Sequence, residues 1–224
     1  MKTLFNFQRR LAKNNNREWF QDHKKDYEQS EQDFKDFVAR LESSLMEHDK
    51  INLSKTKRFR IYRDVRFSSD KTPYNKHRSV SFGRATESRR GGYYLRIQPG
   101  GQTFLAGGFW QPEPKDLLHI RRQISQDPDP LRQILSDKEI SSYFGEMQGE
   151  QVKTAPKGFS IEDPAIELIR YKGFILTHQF QDKEVLEDDF HLKVNDGFKK
   201  LRPFFDYMSE ILSTDLNGQS IIKA

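Results

Sequence analysis

The strongest constraint on the fold is a glycine-turned hairpin in the middle of the chain. Tyr93-Tyr94-Leu95-Arg96-Ile97-Gln98 and Thr103-Phe104-Leu105-Ala106 are β-prone runs on either side of Pro99-Gly100-Gly101-Gln102. Strands joined this way are antiparallel. The neighbouring segments extend the sheet: Ser79 to Phe82 reads as a short strand before the hairpin, and Phe174 to Phe180 as a buried strand well after it. Gly107-Gly108, inside the run that ends at Phe109-Trp110, reads as a β-bulge in preference to a place where a ligand or another backbone comes close.

Helical spacing dominates both ends. Leu4, Phe7 and Leu11 mark a short first helix ended by Asn14-Asn15-Asn16. Asn15 with Glu18 reads as a capping box that starts a helix running unbroken from Arg17 to about Met46. His23 on that helix has no partner at i+3 or i+4 and reads as a surface or core-edge residue, not a metal ligand. After the hairpin, Leu117 to Ile124 and Leu131 to Leu135 are amphipathic, and Asp163-Pro164 opens a short helix closed by Lys172-Gly173. Residues 143–159 read as irregular, and the acidic run Asp182 to Asp189 as a loop. Phe190 to Leu212 is a last helix kinked at Pro203, and residues 215–224 read as a frayed tail. Helices grouped at the ends around hairpin-connected strands give an α+β fold, with a mainly antiparallel central sheet flanked by N-terminal and C-terminal helices. No repeat, linker or shift of composition divides residues 1–224, so one domain is expected. With 18 Phe, 8 Tyr and 2 Trp, its core should be aromatic-rich.

Charge singles out one segment. Between residues 55 and 90, twelve Lys and Arg stand against Asp64, Asp70 and Glu87, a surplus of +9 where the whole chain carries +5. The rest of the chain is slightly acidic. Such a local surplus reads either as an anion-facing surface or as solvated charge. At its centre, Arg60 to Phe67 read as a strand place Arg60, Tyr62, Asp64 and Arg66 on one face and Ile61, Arg63, Val65 and Phe67 on the other. Arg63 then sits on an apolar face, where burial demands a partner, most naturally a carboxylate from another element. Ser69 to Pro73 would turn the chain, and the hairpin that follows would pair with this basic strand.

Other chemistry is narrowed by absence. The chain has no cysteine, which removes disulfides, thiolate nucleophiles and sulfur-bound metals. It has no phosphate-binding glycine loop, dinucleotide fingerprint, nucleophile elbow or calcium loop. His23, His48, His77, His119, His178 and His191 are scattered, so no metal ligand set is assigned and no cofactor is named. No run approaches the length of a membrane span, and Met1 to Leu11 lacks the features of a signal peptide; a cytoplasmic protein without a membrane partner is expected.

Four motifs in order carry a resemblance. They are Asn15-Asn16-Arg17-Glu18-Trp19-Phe20; the R-x-x-R-D-x-R-F-x-x-x-K-x-P-Y pattern from Arg60 to Tyr74; Gly107-Gly108-Phe109-Trp110-x-Pro112; and Ala155-Pro156-Lys157-Gly158. Over about residues 3 to 212 the chain resembles the bacterial family known as domain of unknown function 2461. The resemblance implies a single-domain α+β fold and brings no activity, substrate or catalytic residue with it.

The residues themselves suggest three readings. In the first, the basic strand binds a phosphorylated ligand or nucleic acid: Arg60 and Arg66 face the anion, Asp64 orients them, and Lys71, Tyr74 and His77 close the turn over it, with Arg63 beneath. In the second, Asp64 and His77 serve a hydrolase or phosphodiesterase, with or without a metal. In the third, the arginines form a structural ionic cluster in a protein-interaction module.

Overall fold

The computed structural model describes residues 1–86 and 88–222. Glu87, counted in the charge surplus, and residues 223–224 of the expected tail lie outside it. Among the described residues the chain forms α1 (Lys2–Lys13), α2 (Arg17–Asp22), α3 (Lys24–Met46), β1 (Ile51–Arg58), β2 (Arg78–Arg84), β3 (Gly92–Ile97), β4 (Thr103–Phe109), α4 (Pro114–Gln126), α5 (Asp129–Ser136), α6 (Lys138–Phe144), α7 (Ile166–Ile169), β5 (Phe174–Phe180), α8 (Asp182–Val185), α9 (Phe190–Lys200) and α10 (Arg202–Ser213). The fold is α+β. Its single sheet has the order β1-β2-β3-β4-β5, antiparallel throughout.

Strand alternation divides the sheet into two unlike faces. Val80, Phe82, Tyr93, Leu95, Ile97, Leu105 and Leu176 point to one side, where each is at most 1% exposed and packs with Phe37, Val194, Phe198 and Phe205 of α3, α9 and α10. Among the described residues the opposite face has no such cover. There the register aligns Phe59, Ser79, Arg96, Phe104 and Gln179 in one row, and Lys57, Ser81, Tyr94, Ala106 and Thr177 in the next. A third row is Gly83, Gly92 and Gly108, bare backbone across three neighbouring strands. The outer edge of β5 is covered by α6 and by Gln148, which exchanges two backbone hydrogen bonds with Ile175. Among the described residues no strand pairs with the outer edge of β1, whose register with β2 shifts between Asn52 and Lys57.

Several expectations are corrected. The long helix breaks at His23, whose ring stacks on Trp19 and lies 2.8 Å from the Trp19 carbonyl, drawing the chain out of helical geometry there. Its N-cap is Asn16, one residue later than expected. Gly107-Gly108 forms no bulge, since pairing runs unbroken from Tyr93–Gly107 to Gly108–Ile175. The glycines instead admit close neighbours: a Cβ on Gly107 would meet Leu201, and one on Gly108 the Phe174 carbonyl. The short helix after Asp163 begins only at Ile166. The kink at Pro203 is a full break at Leu201, with the proline in the first turn of α10, where it needs no N–H partner. The acidic run contains a capped turn of helix, α8, in which Gln181 and Glu184 form a capping box. α6 lies where its residues up to Phe144 overlap a stretch expected to be irregular. The tail from Asp215 is folded back: the Asp215 carboxylate accepts from the N–H groups of Asn217 and Gln219, and Thr214 bridges Ser220.

Candidate functional site

The segment from Arg60 to Phe67 is not a strand. β1 ends at Arg58, Phe59 donates one further backbone bond to Ser79, and residues 60–77 leave the sheet as a loop. Nor does β3 pair with this segment; its partners are β2 and β4. A narrow ladder holds the loop's two limbs together, with the bridge Tyr62–Tyr74 and bonds from Arg63 N to the Pro73 carbonyl (2.9 Å) and from Asn75 N to the Ile61 carbonyl (2.7 Å). The expected alternation survives from Ile61 to Arg66, then fails: Phe67 is 97% exposed. The cause is a turn around the Val65 carbonyl, which accepts from Ser68 N and from Lys71 Nζ.

This loop is anchored to the N-terminal helices. Ile61 and Tyr74 are buried with Phe7, Leu11 and Phe20 in a second, smaller core, where Tyr74 stacks on Phe20 with ring centres 4.0 Å apart. Asn15, missed as a candidate, clamps the loop at two points: its amide accepts from Tyr74 N (3.1 Å) and donates to the Tyr74 carbonyl (2.9 Å). An asparagine amide thereby stands in for one residue of a β-ladder.

The charged residues of the motif divide into two groups. Arg63 is half-buried and satisfied within the loop itself: it donates to Asp70 (2.7 Å), to the Thr72 carbonyl (3.0 Å) and to Ser68. Its carboxylate partner lies seven residues on, not in another element as expected, because the turn returns Asp70 to the same side. The Thr72 backbone N–H and hydroxyl, together with Arg63, bring Asp70 down to about 2. Arg66 is exposed and forks onto Asp64, with Nε at 2.9 Å and Nη2 at 2.6 Å; those bonds hold the Asp64 carboxyl below its usual range. Arg60 differs. It is exposed and, among the described residues, forms no ion pair.

Arg60, Arg63, Asp64 and His77 line a recess of about 400 Å³ together with Phe59, Tyr62, Asn75, Ser79 and Tyr94. Arg66, Lys71 and Tyr74 do not. The recess opens where the loop meets the uncovered sheet face. His77 is half-buried there; burial, reinforced by Arg96, Arg78 and Arg63, lowers it to about 4, so it is a neutral imidazole at pH 7. Phe59 and Tyr94 were missed as candidates, although hairpin alternation puts Tyr94 on the face opposite Tyr93 and Leu95. A larger groove of about 640 Å³ between α5–α6 and α9–α10 is lined by Asp137, Glu139 and Asp196 with Lys199 and Lys200. Opposite charges there offset one another, so the recess at Arg60 is the better candidate.

His77 gives a pH dependence whose sign follows from its lowered value. Unfolded it takes up a proton near 6.5, folded only near 4, so its contribution to stability is complete above about pH 6.5 and is lost as the pH falls towards 4. Allowing for partial exposure, the loss amounts to about 1–2 kcal/mol. Urea unfolding at pH 7 and pH 4.5 should differ by that much less in His77→Gln than in the wild type. An equal difference in both proteins would place the pH response elsewhere.

Four further arginines of the basic segment serve the fold. Arg78 donates to Glu31 and to the Phe59 carbonyl beneath the sheet. Arg84 lies in the core against Asp49 and Asp206, and Arg89 and Arg90 pair with Asp49 and Asp116. Among the described residues no three His, Asp or Glu side chains converge as metal ligands, and no helix is long and apolar enough to cross a membrane. No curated protein and no solved structure matches the chain. A family model does, that of the conserved hypothetical proteins DUF2461, over residues 3–207. With nearly all of α1 through the first half of α10 inside that match, this chain belongs to the DUF2461 family.

Proposed function

We propose that the recess between the 60–77 loop and the sheet binds a phosphate group of a phosphorylated ligand, in a cytoplasmic setting. The observation behind this reading is the division among the motif arginines. Arg63 and Arg66 are neutralised by Asp70 and Asp64, while Arg60 stands at the recess without a carboxylate partner among the described residues. Asp64, in the same recess, feels the Arg60 charge without pairing with it, and the Asn75 amide already donates to the Arg60 carbonyl, so the donors left for an anion are those of the Arg60 guanidinium, beside a neutral imidazole. Arg66 and Asp64 stiffen the loop beside it, and Lys71 and Tyr74 shape the loop instead of closing over the ligand.

Thermal unfolding with pyrophosphate tests this. At ten times its Kd the ligand should raise the wild-type midpoint by about 3–5 °C. Arg60→Ala, a change at an exposed side chain, should unfold like the wild type without ligand and gain nothing from it. Pyrophosphate protection that survives in Arg60→Ala would remove Arg60 from the site.

A second reading is favoured by one feature: Asp64 and His77 line the same recess, and His77 is neutral and able to accept a proton. In this reading the bound ester is hydrolysed. Turnover of bis-p-nitrophenyl phosphate that disappears in His77→Gln would support it; equal turnover in both proteins would exclude His77 as the base.

A further inference from the structure

The uncovered sheet face beside the recess has a pattern of its own. Phe59, just past β1, Tyr94 of β3 and Phe104 of β4 form a continuous line with ring centres 6.1 and 5.8 Å apart. All three are only half-buried. Cations lie over two of the rings: Lys57 Nζ is 5.0 Å from the Phe59 ring centre, and the guanidinium of Arg96, on the same strand as Tyr94, is 5.9 Å from that of Phe104. The two rows that hold these residues contain Ser, Thr, Ala and Gln besides, and no Asp or Glu. Next to them the row Gly83, Gly92 and Gly108 forms a floor without side chains, with Lys55 lying over its Gly83 end.

From this we infer that the helix-free face of the sheet binds single-stranded nucleic acid, an assignment that rests on the phosphate reading of the adjoining recess. Aromatic rings set in a sheet face and flanked by cations meet the two needs of such a strand, faces on which bases stack and charges for its phosphates. Bases on Phe59, Tyr94 and Phe104 would sit farther apart than the about 3.4 Å of a stacked duplex. The strand must therefore be open, with bases splayed. Lys57 and Arg96 would meet its phosphates along the line, and Arg60 would hold one in the recess at the end. A duplex presents no base faces to these rings, and a simple polyanion makes no use of them.

Fluorescence anisotropy of a labelled thymidine 12-mer, beside an abasic 12-mer with the same number of phosphates, separates the contributions. The thymidine strand should bind more tightly, with log Kd varying with log salt by about 0.7 per phosphate contacted. Tyr94→Ala and Phe104→Ala should each weaken it about 5- to 100-fold while leaving the abasic strand nearly unaffected. Arg60→Ala should weaken both. Equal binding of the two strands, with pyrophosphate still raising the melting point, would overturn the base-stacking assignment and leave the phosphate reading intact. No binding of either strand at low salt and no response to pyrophosphate would overturn both. Should the alanine variants fail to fold, the comparison of the two strands on the wild-type protein decides the matter.

Discussion

Asp49→Ala should cost about 3–5 kcal/mol, a large share of the roughly 5–15 kcal/mol that stabilises a domain. The Asp49 side chain is fully enclosed and accepts from Arg84 Nε and Arg89 Nη1, both at 2.6 Å, from the Tyr93 hydroxyl at 2.7 Å and from Lys50 N at 2.8 Å. Burial alone would raise its pKa, but the bonds from Arg84 and Tyr93, with the Arg84 and Arg202 charges, outweigh that, and the carboxyl lies below its usual range. Arg84 is itself 1% exposed, so removing Asp49 strands a buried guanidinium and a buried phenol together. Lys193→Ala, which breaks a surface pair with Glu187, should cost far less. Urea unfolding at pH 7 compares the two. Similar small losses would mean that Asp206 and Ser209, the other partners of Arg84, suffice to hold it.

The second large effect is expected at Gly108. Its φ of 147° is one that side chains rarely adopt, and a Cβ there would stand 2.0 Å from the Phe174 carbonyl, inside the β4–β5 ladder. Gly108→Ala must therefore push two paired strands apart, at a cost of about 3 kcal/mol or more. Gly101, in the β3–β4 turn, provides the control. It also has positive φ (67°), but open space surrounds it, so Gly101→Ala should lose only the conformational strain of about 1–2 kcal/mol. Thermal melting of the two variants distinguishes them, and equal losses would mean that the sheet yields easily at Gly108.

Much of the fold was legible because its signals are local. The β3–β4 hairpin, β5, α4 and α5 follow from alternation, turn residues and apolar spacing that neighbouring residues enforce on one another. The errors came where a side chain with a distant or unexpected partner decided the backbone. Asn15 reaches Tyr74, the ring of His23 competes for the Trp19 carbonyl, and Lys71 turns the chain around Val65. Charge count marked the right region but could not sort its members. Arg84 and Arg78 are buried beneath the sheet, Arg63 and Arg66 neutralise carboxylates within the loop, and Arg60 alone of the three motif arginines has no such pair among the described residues. That sorting depends on Asp49, Glu31 and Asp206, whose nearness to the segment is a matter of tertiary packing.

Because strand order follows chain order, the sheet ends in two lateral strands, and they are protected from other molecules by different means. β5 is shielded by its own chain, through α6 and Gln148. Among the described residues β1 has no cover of this kind, and an open strand edge is the usual template for self-association of β proteins. Its sequence supplies the deterrent: Lys55, Lys57 and Arg58 are exposed along it, and the shift of register after Asn52 breaks its regular line. A second copy docking edge to edge would bring like charges together along the seam while meeting a misaligned hydrogen-bond pattern. Positive charge spaced along an open edge strand is thus a feature that opposes edge-to-edge association.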